Sequence, residues 1–216
     1  MIKILIADDH PMIREGLKKT LRDEVDMKVV GEAKNGREVL DFVEKNELSV
    51  VLMDLTMPEL TGFDALKELK IKHPKLPVLI LSMHPEDRFA VRALKSGASG
   101  YLTKESAASE LVNAIRKVAK GGKYITPIVA EQLAFEIGNK SDISPHETLS
   151  DREYQIFIML AEAKPVNEIA QTLCLTLSTV HTYRARIFEK MNLKTNSDII
   201  HYAITNNLIE STLPPA

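Results

Sequence analysis

Cysteine and aromatic residues are scarce in this sequence of 216 residues, which has one cysteine, no tryptophan and 5% aromatic residues. The single cysteine, Cys174, excludes an internal disulfide framework and a cysteine-rich metal site. Its neighbours Leu173 and Leu175 are apolar, which predicts that Cys174 fills core space and has no chemical role. Any ligand or reaction must therefore depend on other side chains.

The sequence also lacks a long apolar run and an excess of either charge. No apolar stretch approaches the roughly 18 residues of a membrane span, and the apolar start is too short for a signal peptide before Asp8 interrupts it. The formal net charge is −2, so nucleic-acid binding would need a local basic patch. We therefore expect a soluble, unsecreted, cytoplasmic protein that does not bind membranes.

Residues 1–121 alternate strand and helix patterns. Five short β-rich runs are each followed by apolar residues at helical spacing. These runs are 3–7, 28–32, 50–54, 78–82 and 100–103. Five βα units joined by right-handed crossovers predict an α/β domain, a doubly wound five-stranded parallel sheet with helices on both faces.

Polar side chains stand at or just after the ends of these strands. They are Asp8, Asp9, Asp54, Ser82 and Lys104. Ligands of such sheets collect beyond the carboxyl ends of the strands. Each residue taken alone has a structural alternative: Asp54 could cap the helix near Gly62, Lys104 could form a salt bridge, and Ser82 could cap a strand end. Their joint placement favours a functional site.

Three neighbouring carboxylates repel one another, so either a pKa rises or a cation neutralises them. Hard oxygen ligands of this kind suit Mg²⁺. A carboxylate such as Asp54 can accept a phosphoryl group as an acyl phosphate. Lys104 and the Ser82 hydroxyl could then contact the phosphoryl oxygens.

The remainder of the chain is predicted to be helical. Residues 122–148 indicate a linker with one helix over 128–137, and residues 149–216 indicate a small all-α domain. Its helix starts carry capping signals: Ser150 with Glu153, Thr176, and Thr195 with Asp198. The third helix of this domain concentrates basic residues opposite the apolar Val180 and Ile187, which is compatible with a helix that enters a DNA groove. The alternative is a solvated amphipathic helix.

Residues 1–121 resemble the receiver domain of two-component response regulators, on Asp8-Asp9, Asp54 with Met57-Pro58, Ser82, and Tyr101-Leu102-Thr103-Lys104. The resemblance implies sheet order 2-1-3-4-5, with Asp54 as the phospho-acceptor. It also implies Mg²⁺ held by Asp8, Asp9, Asp54 and the carbonyl of Thr56. The implied switch and phosphate-sensing residues are Ser82, Tyr101 and Lys104. The sequence departs from the family at Met83, where a small residue is usual, and at Glu105, where proline is common.

The tail resembles the LuxR-type helix-turn-helix on Leu149-Ser150-x-Arg152-Glu153, Asn167-Glu168-Ile169-Ala170, Leu173 and Ser178-Thr179-Val180. With the receiver this makes a NarL/FixJ-type regulator, and residues 182–190 are similar to the GacA-like branch. The implied DNA contacts are Ser178, Thr179, His181, Thr182, Tyr183, Arg184, Arg186 and Lys190. The implied dimerisation residues are Ile199, Ile200, Ala203 and Ile204.

The resemblance implies a transcription factor without catalytic turnover of a substrate. A sensor histidine kinase would phosphorylate it, and phosphorylation would control homodimerisation and binding to double-stranded DNA, with RNA polymerase a further candidate partner. One alternative is an Mg²⁺-dependent phosphohydrolase with a phospho-aspartyl intermediate. Such enzymes usually place the nucleophile on the first strand in an Asp-x-Asp arrangement, whereas Asp8 and Asp9 are adjacent here. A second alternative is a constitutive DNA binder with a vestigial receiver.

Overall fold

The computed structural model describes residues 1–83, 86–106, 108–138, 144–173, 175–206 and 208–209. The chain divides into two compact units, Met1–Gly138 and Asn139–Ala216. The first unit includes the helix predicted for the linker, and the predicted domain boundaries at residues 121 and 148 stay predictions. Cys174 lies outside the described residues. Among the described residues, we find no helix with both the length and the apolarity needed to span a bilayer.

A five-stranded parallel sheet forms the centre of the first unit. Its strands are β1 (Ile2–Ala7), β2 (Met27–Ala33), β3 (Val50–Asp54), β4 (Val78–Ser82) and β5 (Gly100–Thr103). They lie in the order β2-β1-β3-β4-β5, which confirms the predicted topology. All residues of β3 and β4 are buried, because a parallel sheet with helices on both faces exposes neither surface of its central strands.

In the described part of this unit, six helices accompany the sheet. They are α1 (Pro11–Arg22), α2 (Gly36–Lys45), α3 (Gly62–Lys72), α4 (Glu86–Lys95), α5 (Ala108–Ala119) and α6 (Pro127–Gly138). Apolar residues of α1 and α5, such as Leu21 and Ile115, pack in one core cluster with Ile6 and Leu52 of the sheet. Helix α2 packs against α3, and α4 packs against β5 and α6.

The segment before α6 is attached along the outer edge of β5. Tyr124 forms a parallel bridge with Gly100, and its amide donates to the Ser99 carbonyl at 2.8 Å. A Cβ atom at Gly100 would lie 2.8 Å from the Tyr124 Cβ atom, so the close approach requires glycine there. The Thr126 hydroxyl donates to Glu86 at the start of α4, with an oxygen–oxygen distance of 2.5 Å.

The second unit consists of helices only, in its described part. A 3₁₀ turn (Pro145–Thr148) falls in the predicted linker and precedes α7 (Asp151–Ala161), α8 (Val166–Thr172), α9 (Leu177–Met191) and α10 (Asn196–Thr205). The predicted caps of α7, α9 and α10 all form: the side chains of Ser150, Thr176 and Thr195 accept from backbone amides three residues on. Phe157, Ile169, Val180, Ile187 and Ile199 are among the buried residues of its core.

Candidate functional site

Asp8 and Asp54 meet at the carboxyl ends of two neighbouring strands. Ala7 of β1 stands opposite Met53 of β3, so the residue after each enters the same edge of the sheet. Both carboxylates are buried, with 2% and 3% of their residue surface exposed. The register of two parallel strands therefore creates the acidic site that the sequence predicts.

Lys104 lies between these two carboxylates. Its Nζ atom is 2.6 Å from Oδ2 of Asp8 and 2.8 Å from Oδ2 of Asp54. The pairing of β4 with β5 places it there, because Ser82 stands opposite Thr103 and the Lys104 amide donates to the Ser82 carbonyl at 2.8 Å. The lysine side chain is only 4% exposed, so one buried ammonium group pairs with two buried carboxylates.

Burial raises the pKa of Asp54 to about 6, although Lys104 opposes this shift by its charge and its hydrogen bond. The nearby charge of Asp8 raises it further, and a backbone hydrogen bond with Thr56 lowers it. Burial would lower the pKa of Lys104, but the charges and hydrogen bonds of Asp54 and Asp8 outweigh burial and hold it above its usual value. The cluster therefore keeps a charged ammonium beside a carboxylate that is insufficiently neutralised.

The capping alternative for Asp54 is excluded by the start of α3. The N-cap of that helix is Thr61, whose hydroxyl accepts from the Asp64 amide. Gly62 lies so close to the site that an added Cβ atom would be 1.9 Å from the Asp54 carbonyl oxygen. Because Thr61 caps α3, the Asp54 carboxylate does not serve as a helix cap and can take part in the acidic site.

Ser82 and Tyr101 are both buried, with 0% and 2% of their surface exposed. Ser82 ends β4, and Tyr101 lies on the adjacent β5 opposite Ile80. Met83, the departure from the family pattern, is 65% exposed. The serine predicted to sense the phosphoryl group therefore lies at the same sheet edge as the acidic cluster.

His10 is a site residue that the sequence interpretation missed. Its ring Nδ1 atom lies 2.7 Å from Oδ1 of Asp9 and 3.2 Å from Oδ1 of Asp8. The only signal in the sequence was its position directly after the acidic pair. Nothing in the pattern of residues 8–10 indicated whether this side chain would turn toward the carboxylates or toward solvent.

The cluster fits a divalent cation. Asp8, Asp9, His10 and Asp54 each offer one ligand atom, and these atoms all lie within 4.8 Å of one another. A set of carboxylate oxygens is the donor type that Mg²⁺ prefers. The pKa of Asp54 is raised chiefly by burial and to a smaller extent by the charge of Asp8, and a bound cation would favour the ionised carboxylate.

Helix α9 of the second unit presents a polar surface to solvent. Ser178, His181, Thr182, Arg186 and Lys190 are exposed, whereas Val180, Ile187 and Met191 are buried. The Thr182 hydroxyl donates back to the Ser178 carbonyl at 3.0 Å, which holds it close to the helix. The guanidinium carbon of Arg186 lies 6.0 Å from the centre of the Tyr183 ring.

Arg184 and Lys190 of the predicted DNA-contacting set also serve contacts inside the unit. Arg184 is half-buried, with its guanidinium carbon 5.2 Å from the centre of the Phe188 ring. The Lys190 ammonium lies 2.7 Å from Oε2 of Glu153, whose side chain is 3% exposed. Thr179 is half-buried and bonds the Thr176 hydroxyl at 2.7 Å. The sequence places all of these residues on one helix, but it does not show which of them make contacts inside the unit.

The predicted dimerisation residues of α10 divide into two groups. Ile199 and Ala203 are fully buried within the unit, at 0% exposure. Ile200 and Ile204 are half-buried and contribute to the surface. Only the second pair can contact another molecule directly, since the first pair already packs in the core.

Two families account for most of the chain. Residues 4–116 match the response regulator receiver domain, and residues 147–203 match the bacterial regulatory proteins of the luxR family. Neither is a family of enzymes. The acidic cluster lies in the first match and α9 lies in the second.

Characterised relatives match over nearly the full length. The response regulator GacA of Pseudomonas protegens is 39% identical over 213 residues, which cover 99% of this chain and 100% of that protein. The response regulator UvrY of Escherichia coli is 37% identical over 209 residues, 96% of each chain. The similarity to GacA confirms the expected branch.

Solved structures agree with the fold. The RcsB response regulator of Salmonella typhimurium has 25% identity and a TM-score of 0.57, with 95% of this chain and 100% of that chain covered. A LuxR-family two-component response regulator from Aurantimonas has 34% identity and a TM-score of 0.58, with 63% of this chain and 98% of that chain covered. The chain therefore belongs to the two-component response regulators of the NarL/FixJ type, with a receiver domain followed by a LuxR-type DNA-binding domain.

Proposed function

We propose that this protein is a phosphorylation-controlled transcription factor whose acceptor is Asp54. Residues 1–121 form the receiver, 122–148 the linker and 149–216 the DNA-binding domain. The observation that carries the proposal is the buried arrangement of Asp8, Asp54 and Lys104, with Nζ–Oδ2 distances of 2.6 and 2.8 Å. A lysine bridging two buried carboxylates is poorly explained by stability alone, because burial of ions is costly.

The proposed reaction transfers a phosphoryl group from a phosphohistidine of a sensor kinase to Asp54. A carboxylate oxygen of Asp54 forms the new O–P bond as the P–N bond of the phosphohistidine breaks, and the imidazole leaves. Lys104 keeps its positive charge and lies within 2.8 Å of the acceptor carboxylate, so it can pair with the phosphoryl oxygens. The Ser82 hydroxyl, at the end of β4, then bonds another phosphoryl oxygen.

The cation site would be formed by Asp8, Asp9, Asp54 and the carbonyl of Thr56. Mg²⁺ bound there supplies positive charge that offsets the charge of the carboxylates and of the phosphoryl group. Asp8 and Asp9 hold and orient that charge next to the acceptor. Asp54 is only 3% exposed, so burial would limit the access of competing water to the acceptor.

The signal would pass from the site through Ser82 and Tyr101. A phosphoryl group that engages Ser82 changes the end of β4, and the neighbouring Tyr101 on β5 repacks in response. Tyr101 is buried at 2% exposure, so its movement would require α4 and β5 to adjust. This change would favour a homodimer, to which Ile200 and Ile204 of α10 contribute.

The output is sequence-specific binding to double-stranded DNA through α9. The exposed Ser178, His181, Thr182 and Arg186 reach bases and phosphates, while Tyr183, Arg184, Thr179 and Lys190 support or extend that surface. The similar RcsB protein of Salmonella typhimurium is described as interacting with DNA. Chromosomal DNA as the target places the protein in the cytoplasm, and RNA polymerase would be a partner at the promoter.

The deciding experiment compares DNA binding with and without Mg²⁺ and beryllofluoride, at fixed salt. The DNA is selected from a random duplex pool by the beryllofluoride-treated protein. The variants are Asp54→Asn and, as a matched control, Asp41→Asn, which changes an exposed carboxylate on α2. We expect tighter binding with beryllofluoride for the native protein and Asp41→Asn only. Equal binding in all samples would refute control by Asp54 and leave a constitutive DNA binder.

A second experiment tests whether α9 is the helix that binds DNA. Arg186→Ala and Arg184→Ala should each weaken binding, with about 1–3 kcal/mol lost for any bidentate base contact. A change in the salt dependence without a change in sequence preference would assign the residue to phosphates. Unchanged affinity for DNA in both variants would refute the assignment of α9 as the helix that binds DNA.

A further inference from the structure

Two lysine side chains meet at the amino edge of the sheet, at the opposite end from the acidic cluster. Lys70 of α3 donates from Nζ to the Leu76 carbonyl at 2.5 Å. Lys123, in the segment before α6, donates from Nζ to the Ala98 carbonyl at 2.5 Å. These two carbonyls come shortly before β4 and β5, which are neighbouring parallel strands. Because neighbouring strands lie about 4.8 Å apart, both amino groups are held on adjacent segments of one edge.

Neither of these lysines has an acidic partner among the described residues. Each makes its hydrogen bond to a backbone carbonyl, and no described carboxylate acts on the pKa of either one. Lys72, two residues further along α3, differs in this respect. Its Nζ atom lies 2.9 Å from Oε1 of Glu68 and 3.4 Å from Oε1 of Glu44. Lys70 therefore lacks the negative charge that keeps a lysine such as Lys72 protonated.

The stem of Lys70 packs against the backbone between α4 and β5. The residue is half-buried, and a Cβ atom added at Gly97 would lie 2.8 Å from its Cγ atom. Burial, and to a smaller extent the positive charge of Lys123, lowers the pKa of Lys70 to about 8. The hydrogen bonds of Glu68 and Glu44 instead raise the pKa of Lys72. Two lysines of one helix thus differ in how readily they provide a neutral amine.

We propose that Lys70 is a site of covalent acylation by small acyl phosphates, with Lys123 binding the phosphate of the donor. This site lies apart from Asp54 and is independent of the proposed function. The hydrogen bond to the Leu76 carbonyl uses one N–H of the neutral amine and leaves the lone pair free to attack. The Lys123 ammonium supplies a positive charge beside that nitrogen, where it can pair with a phosphate.

The reaction is an acyl transfer. The Lys70 nitrogen forms a bond to the acyl carbon while the bond from that carbon to the phosphate oxygen breaks. Inorganic phosphate leaves with the electron pair, and the proton of the attacking nitrogen passes to water. The product is a neutral amide, so acylation removes the repulsion between the two lysines.

The test exposes the full chain to acetyl phosphate with divalent cations chelated. Cleavage after glutamate leaves Lys70 and Lys72 on one peptide, and tandem mass spectrometry then compares their initial rates of acetylation. At about pH 7.5 we expect Lys70 to react about tenfold faster, because a larger fraction of it is neutral. Its rate should level off above about pH 8, whereas the rate at Lys72 should continue to rise. Equal rates at the two lysines would overturn the proposal.

A second arm of the test changes Lys123, which is exposed. Lys123→Met removes the charge and keeps an apolar stem, whereas Lys123→Arg keeps the charge. We expect Lys123→Met to slow acetylation of Lys70 about threefold or more, Lys123→Arg to restore most of the rate, and Lys72 to react equally in all three proteins. Thermal unfolding verifies that both variants fold. An unchanged rate at Lys70 in Lys123→Met would overturn the role of Lys123.

A third arm replaces acetyl phosphate with an acetyl thioester, N,S-diacetylcysteamine, which carries no phosphate. Lys123 should then affect Lys70 only through the fraction of neutral amine, so Lys123→Met should slow this reaction less than the reaction with acetyl phosphate. Equal slowing with both donors would overturn the binding of phosphate by Lys123.

Discussion

Asp54 illustrates at the scale of one residue how a functional group can oppose stability. Its carboxylate is 3% exposed, and burial raises its pKa to about 6 despite Lys104. A side chain whose charged form is disfavoured by the fold reduces the free energy of unfolding whenever it is ionised. Reactive sites commonly carry such a cost, because the same feature supports their chemistry.

We predict that Asp54→Asn raises the free energy of unfolding at pH 7 by about 1–3 kcal/mol when divalent cations are removed. The neutral amide avoids the cost of burying a charge, and Asp8 still pairs with Lys104 at 2.6 Å. Urea denaturation of both proteins measures the difference. Exposed Asp41→Asn serves as the control and should change little, and a destabilised Asp54→Asn would contradict the prediction.

The difference in the free energy of unfolding between the native protein and Asp54→Asn should depend on pH in a definite direction. The folded-state pKa of Asp54 is about 6, above the ordinary value of 3.8, so the folded protein holds this proton more tightly than the unfolded chain. The native protein should lose stability relative to Asp54→Asn as pH rises from about 4 to about 6, and the difference should be constant above that. Urea titrations across this range measure it, and a difference that grows toward acid would be inconsistent with the raised pKa.

At the scale of elements, Glu153 ties two helices of the DNA-binding unit together. Its carboxylate completes the capping box of α7 by accepting from the Ser150 amide at 2.7 Å, and it also accepts from the Lys190 ammonium of α9 at 2.7 Å. Burial would raise the pKa of Glu153, but Lys190 and Ser150 outweigh burial and lower it. The stability from this pairing is therefore present above the ordinary carboxyl pKa and is lost as pH falls through the lowered one.

Lys190→Met and Arg186→Ala should distinguish a residue of α9 that stabilises the unit from a residue of α9 that binds DNA. Lys190→Met leaves the buried Glu153 without its cation, so we expect a loss of about 1 kcal/mol in the stability of this unit. Arg186→Ala should leave stability within about 0.5 kcal/mol of native but weaken DNA binding more than Lys190→Met does. Calorimetry and DNA titration measure the two effects, and the reverse ranking would assign Lys190 chiefly to DNA.

Thr126→Val tests the attachment of α6 to α4. It removes the hydrogen bond to Glu86 and the hydroxyl that accepts from the Val129 amide at 3.5 Å. We expect faster amide hydrogen exchange throughout α6, with exchange in β1 and β3 unchanged as the internal control. Unaltered exchange in α6 would mean that buried Val129 and the Tyr124–Gly100 bridge hold the helix without Thr126.

At the scale of the whole molecule, the acidic cluster and α9 belong to different compact units. A ligand that binds only the folded form of one unit stabilises that unit, by about 2.7 kcal/mol at 100 times its dissociation constant. We predict that Mg²⁺ with beryllofluoride raises the unfolding temperature of the receiver and not that of the DNA-binding unit. Scanning calorimetry with Asp54→Asn as control measures this, and a rise of both unfolding temperatures, or a single shared transition, would contradict the prediction.

Local signals in the sequence determined much of this protein. β-rich runs of four or five residues marked all five strands, and Ser150, Thr176 and Thr195 marked the starts of helices, because strand burial and capping depend on residues within a few positions. The ends of strands also located Asp8, Asp54, Ser82 and Lys104, since parallel topology brings such ends to one edge.

Only the tertiary structure decided contacts between residues distant in the sequence and the directions of side chains. It directed His10 toward Asp8 and Asp9, paired Lys190 with Glu153, and separated buried Ile199 from half-buried Ile200. These outcomes depend on how helices and strands pack and on which rotamer that packing allows. Sequence patterns report the period of an element, whereas packing selects which side of it meets each neighbour.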